Sequence, residues 1–214
     1  MKKITIIDYG SGNVLSAQKS FVKIANENNI TSKVIISNNV NEIKDSTHIV
    51  LPGQGAFSTC MTGLKNIKGL IDELYNHAIN KKKPFLGICV GMQMLANKSE
   101  EKGLHQGLGW IEGKIKKLPD TNLKMPHMGW NIVKPITNNN NLIEKSEDYY
   151  FVHSYYVDCK EEDVFLTTQY SEQFCSGFIK DNIVGVQFHP EKSHQYGLKF
   201  LSNVLTRMLL CKEE

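Results

Sequence analysis

The amino-acid sequence predicts an α/β protein whose mostly parallel sheet is covered by helices and extended by additional, partly antiparallel strands. Three observations predict it. Short apolar runs alternate with helical patterns through the first half. The second half instead carries successive strand-like runs separated by turn residues. The chain's 214 residues suit one well-buried core better than two large ones, so a single domain over 1–214 is expected.

The elements follow in order. Residues 3–7 read as a buried strand, Gly10-Ser11-Gly12-Asn13 as a turn, and about 14–28 as a helix. Strands are expected near 33–36 and 47–51, the latter ending at Pro52-Gly53-Gln54-Gly55. A helix over 68–80 and a short central strand over 84–88 complete the parallel half. Beyond it, strands are expected at 114–118, 149–157, 164–170, 174–179 and 183–188, and an amphipathic helix over 198–210. The polar run 138–141 reads as an exposed turn or loop.

Composition narrows the function. The 25 basic and 22 acidic residues leave a formal charge of +3 spread along the chain, which does not argue for nucleic acid or a membrane surface. Arg207 is the only arginine, so this chain does not supply several guanidinium clamps to a phosphorylated substrate. Five cysteines without a C-x-x-C pair do not suggest a disulfide framework. With no secretory signal pattern and no bilayer-length apolar run, a cytoplasmic location is expected.

The most informative segment is Pro-Phe-Leu-Gly-Ile-Cys-Val-Gly-Met-Gln over 84–93. Gly87 and Gly91 flank Cys89 two positions away, the pattern of a sharp strand-to-helix turn that projects its central side chain above the sheet. A helix N-terminus there favours a thiolate. The alternative is a buried core cysteine between glycines kept for packing. His189, after the last expected strand, is placed to take the thiol proton and return it to leaving ammonia, with Glu191 fixing its tautomer across the turn forced by Pro190. Alone, these two also read as a surface histidine and a solvated glutamate.

Gly53, Gln54 and Gly55 form a glycine-flanked backbone able to stabilise an oxyanion, with the Val90 N–H as second donor, or simply a tight strand-to-helix turn. Gln93, one helical turn past Cys89, either faces the same pocket and holds an amide substrate or lies on the helix surface. Gly10 to Asn13 lacks the longer dinucleotide fingerprint, so no cofactor is assigned. The spacing of His189, Glu191 and His194 could suggest a metal, but nothing joins these side chains to a further ligand and Pro190 opposes a one-face helical zinc motif, so no metal is assigned.

With these residues in view, the chain resembles the class I glutamine amidotransferases, and within them the glutaminase subunits of imidazole glycerol phosphate synthases. The resemblance covers nearly the whole chain, through 7–13, 51–57, 87–93, 107–109, 126–131, 150–156 and 185–193. The His-Met-Gly-Trp-Asn and Phe-Val-His-Ser-Tyr segments are its most specific parts. It implies a three-layer sandwich and hydrolysis of L-glutamine to glutamate and ammonia through Cys89, His189 and Glu191. It further implies a cyclase partner built as a β/α barrel in a heterodimer, receiving ammonia to make imidazole glycerol phosphate and an aminoimidazole carboxamide ribonucleotide. By the same resemblance Ser154 and Tyr155 supply backbone contacts to glutamine, Gly53 to Gly55 match a peptide that reorients when the partner is active, and Asn13, Met128, Trp130 and Lys192 face the cyclase. Gln54 departs from the valine more usual there. Two other readings stay open: a noncatalytic regulatory subunit of the same fold, and a glutaminase for a related sugar-modifying synthase.

Overall fold

The computed structural model describes residues 1–136 and 142–207. The expected loop at 138–141 and the end of the last helix beyond 207 lie outside them.

The parallel half runs β1 (Lys2–Ile7), α1 (Val14–Glu27), β2 (Ser32–Ser37), α2 (Val40–Lys44), β3 (His48–Gly53), α3 (Phe57–Asn66), α4 (Leu70–Tyr75), β4 (Phe85–Cys89) and α5 (Val90–Gln93). The second half adds β5 (Ala96–Ser99), β6 (His105–Gln106), β7 (Ile111–Lys117), β8 (His127–Pro135), β9 (Glu147–His153), β10 (Tyr155–Cys159), β11 (Val164–Gln169), β12 (Gln173–Lys180), β13 (Ile183–Val186) and α6 (His194–Arg207). The main sheet has the order β2-β1-β3-β4-β13-β12-β10-β7-β5-β6, while β11, β8 and β9 branch from β12. Neighbours from β2 to β13 pair in parallel; β12, β10 and the branch pair antiparallel.

Helices cover the sheet to give three layers, α1 packing beside α6 and α4 beside α2 and α3. A strand covered on both faces reads as an unbroken apolar run, and β3 and β4 are buried at every position. Each isoleucine or phenylalanine buried here contributes roughly 1.5–3 kcal/mol, and Ile4, Ile6, Ile7, Phe57, Phe85, Phe178 and Phe200 are fully enclosed.

Several boundaries differ from expectation, each for a local reason. The 68–80 helix begins only at Leu70, because Gly69 takes a left-handed φ of 78° that caps rather than continues a helix. It ends in a wide turn over Asn76–Asn80, closed by Lys81 N–H donating to the Asn76 carbonyl at 2.9 Å. The 149–157 strand breaks at Ser154, where the chain leaves its pairing with β8 and joins β7 and β12. The 183–188 strand stops at Val186, and His189 N–H instead donates to the Tyr150 carbonyl at 2.8 Å. Helices α2 and α3 and strands β5, β6 and β8 have no counterpart among the expected elements. Among the described residues no helix is long and apolar enough to cross a membrane.

Candidate active site

Strand β4 delivers Cys89 to the carboxyl edge of the parallel strands, where α/β sheets place their ligands. The residue sits at φ 55° and ψ −114°, a strained conformation for a side chain with a Cβ. The glycines around it make that turn possible. A Cβ on Gly91 would lie 1.8 Å from the Leu51 carbonyl oxygen, and one on Gly53 would lie 2.4 Å from the Gly91 nitrogen. The turn is therefore locked against the end of β3 by backbone contact. The helical pattern expected after Cys89 amounts to one turn, Val90–Gln93, shorter than the sequence suggested.

Beyond β13 a single 3-10 turn over Pro190–Lys192 swings Glu191 back onto His189. The Glu191 Oε1 accepts from His189 Nδ1 at 2.9 Å, with both side chains almost wholly buried. Ser193 Oγ donates to the His189 carbonyl at 2.7 Å and accepts from Tyr150 N–H at 3.0 Å, tying the turn to β9. With Nδ1 engaged by the carboxylate, Nε2 is the nitrogen left for reaction, and it has no hydrogen-bond partner. Burial opposes a charge on this imidazole, but the nearby Cys89 sulfur and the Glu191 carboxylate outweigh it and push the pKa up to about 10. The arrangement favours a protonated imidazole at His189.

Cys89 and His189 line one cavity of about 330 Å³ with Gln54, Gly55, Val90, Gln93, Ser154 and Tyr155. This brings together the expected nucleophile, base and most of the expected substrate-binding residues. Gly53 is buried behind the cavity against Val90 and Gly91. The Gln54 carbonyl accepts from Ser11 Oγ at 2.6 Å and faces Cys60 Sγ at 3.5 Å, so the first loop holds this peptide. Asn13, Met128, Trp130 and Lys192 are not among the cavity's lining residues. Met128 is 60% and Trp130 47% exposed, on the outer face of β8.

Gln93 is a buried residue, not a helix-surface one. Its Nε2 donates to the Tyr155 carbonyl at 2.9 Å and to Gln187 Oε1 at 3.0 Å. Both amide protons are thus used within the protein, and Oε1 is what Gln93 has left to offer a donor on a substrate. Gln187, not singled out in the sequence, passes the interaction on by donating to Cys89 Sγ at 3.6 Å. Its only sequence signal was a polar side chain in an apolar strand, two positions before His189. Glu101 was also missed, having no signal in a charged, glycine-ended run. It lines the cavity and accepts from Phe57 N–H at 2.7 Å, leaving an anionic group beside the site.

A thiol, a carboxylate-held imidazole and a glycine-rich backbone on one cavity define a machine for acyl transfer from an amide or ester. The family model described as glutamine amidotransferase class-I matches residues 5–208, and the chain belongs to that family. Imidazole glycerol phosphate synthase subunit HisH 2 of Methanococcus maripaludis is 47% identical over 207 residues, covering 94% of this chain and 98% of the relative. Subunit HisH of Zymomonas mobilis is 44% identical, covering 94% of each. Two solved glutamine amidotransferases share the fold. One, from Thermotoga maritima, has a TM-score of 0.66 at 18% identity, covering 97% of this chain and 98% of its own. The other has a TM-score of 0.69 at 14% identity, covering 94% and 99%.

Proposed function

We propose that residues 1–214 form a single glutaminase domain in which Cys89, His189 and Glu191 hydrolyse L-glutamine and from which ammonia passes to a cyclase for histidine biosynthesis. The observation that carries it is the buried His189–Glu191 pair facing Cys89 across one cavity. The Cys89 sulfur attacks the side-chain amide carbon of glutamine while its proton resides on His189 Nε2. The tetrahedral oxyanion is stabilised by backbone N–H groups of Val90 and of the Gly53-Gln54-Gly55 segment. Collapse expels ammonia carrying the His189 proton and leaves a glutamyl thioester. Water then gives its proton to His189, attacks the thioester and releases glutamate, and the thiol is restored. Glu191 keeps Nδ1 protonated throughout. Ser154 and Tyr155 bind the amino-acid end of glutamine through their backbone, beside the Gln93 Oε1 acceptor. No cofactor or metal enters the sequence of steps.

Close relationship to subunits of imidazole glycerol phosphate synthase supports the destination of the ammonia. The recipient is a β/α-barrel cyclase, bound as a heterodimer through Asn13, Met128, Trp130 and Lys192, that makes imidazole glycerol phosphate and an aminoimidazole carboxamide ribonucleotide. The outer face of β8 supports this, since Met128, Trp130 and Ile132 expose three alternate apolar side chains in a row. The Ser11 bond to the Gln54 carbonyl gives the loop that carries Asn13 a hold on the oxyanion segment, a basis for activation when the cyclase is loaded.

Replacing Cys89 by alanine tests the reading. Glutamate release by the complex is expected to vanish while synthesis from added ammonia persists, because that step belongs to the partner. Glutamine turnover undiminished in Cys89→Ala would overturn the nucleophile assignment.

A further inference from the structure

Two buried histidines that the proposed chemistry does not use connect the glutamine cavity to β8. His153, which lines the cavity, has Nδ1 at 2.9 Å from the Tyr155 carbonyl, and a carbonyl can only accept. Its Nδ1 therefore bears hydrogen and its Nε2 is a lone pair. That lone pair faces His127 Nδ1 at 2.9 Å, so His127 must be the donor and its own Nε2 an acceptor. Asn131 Nδ2 fills that last position at 3.0 Å. The amide cannot be turned the other way, because its Nδ2 also donates to the Gln169 carbonyl at 3.0 Å while its Oδ1 accepts from Ile132 N–H at 2.8 Å.

Every donor and acceptor in the chain Asn131 to His127 to His153 to Tyr155 is thus matched in one direction only. Burial holds both rings neutral, His127 down to about 4 and His153 down to about 3. An aromatic box fixes the rings in place: His127 is stacked between Phe151 and Tyr170 at centroid distances of 4.8 and 4.0 Å, and Phe174 lies 5.1 Å from His153. The same Tyr155 carbonyl takes the Gln93 Nε2 proton at 2.9 Å, so the relay and Gln93 converge on one peptide of the cavity wall.

We propose that His153 and His127 are positioning residues for glutamine, their single-tautomer relay orienting the Tyr155 peptide and, through its carbonyl, Gln93. This rests on the glutaminase reading above. It assigns the two rings no proton transfer with substrate, only the task of holding its binding surface.

Two measurements test it. In long-range proton–nitrogen spectra of the full chain carrying Cys89→Ser, chosen to remove the proposed nucleophile, both rings are expected as Nδ1–H tautomers, and saturating glutamine should move the ring signals of both. An Nε2–H tautomer in either ring, or saturation that leaves both unmoved, overturns the proposal. In the cyclase complex, His153→Leu should raise KM for glutamine roughly fivefold to tenfold, the range expected for one lost buried hydrogen bond, with kcat within about twofold. His153→Asn, whose Nδ2 can still donate to the Tyr155 carbonyl, should recover most of that loss. Equal KM in wild type and His153→Leu, or no recovery in His153→Asn, counts against the role. Absent turnover by the unsubstituted complex would sink the glutaminase reading itself, whereas normal turnover with either adverse result removes the positioning role alone.

Discussion

Cys89 occupies a backbone conformation that its own Cβ disfavours, and the strain is held by glycine contacts rather than by the cysteine. What the strain achieves is a thiol at a strand end within reach of His189. The pKa of about 10 on His189 lies above the ordinary 6.5 of the unfolded chain. A raised folded-state value stabilises the fold fully below about pH 6.5 and is lost as pH climbs through about 10. Glu191→Gln removes one of the groups holding that proton. The melting temperature of the wild type is therefore expected to exceed that of Glu191→Gln most at or below pH 6.5, with the gap shrinking toward pH 10. Thermal unfolding across that range checks it, and a gap that widens with pH would contradict the charged pair. At this scale Cys89, His189 and Glu191 were legible because their signals are local: a glycine-flanked cysteine, and a histidine and glutamate two residues apart. Gln187, Glu101 and the histidine relay were not, since each has meaning only through partners distant in the chain.

The turn at Cys89 works as an element because β3 and α5 touch through backbone. Gly91→Ala would drive a methyl group into the Leu51 carbonyl, an approach no rotamer change can relieve. A loss of about 3 kcal/mol or more is expected, at the upper end of overpacking costs, measured by denaturant unfolding. Gly55→Ala meets no atom within 4 Å and is strained only by its φ of 98°, so it should cost clearly less. Two of the elements absent from the expectations, α3 and β8, have physical explanations. Helix α3 carries Phe57, Cys60, Met61 and Leu64 at helical spacing, all buried, but its Ser, Thr and Gly positions are poor helix formers that masked the period. Strand β8 alternates in reverse: His127, Gly129 and Asn131 point inward while Met128, Trp130 and Ile132 point out. A strand with its apolar face in solvent and polar groups inside does not announce itself by the usual pattern.

For the whole molecule, that inverted strand leaves an apolar face that the fold itself does not bury. Trp130 stacks on His194 at 5.1 Å with planes 4° apart, and Lys192 is exposed nearby, so the face is formed before any partner arrives. Trp130→Ala is expected to leave the melting temperature within a few degrees of wild type and to weaken the cyclase complex by about 2 kcal/mol, roughly thirtyfold, as buried aromatic anchors do. Calorimetric titration of the chain against the cyclase measures it. An unchanged affinity would place the interface elsewhere.

The sequence by itself determined the layered α/β class and the parallel strands and singled out Cys89, His189 and Glu191, because buried strands and sharp glycine-flanked turns are written in runs of a few neighbouring residues. Only the tertiary structure decided which polar groups share the interior: Gln93 with Gln187, 94 positions away, and His127 with His153, 26 positions away. Buried hydrogen bonds demand partners at about 3 Å, and which partners meet depends on the register of strands brought together from far apart in the chain.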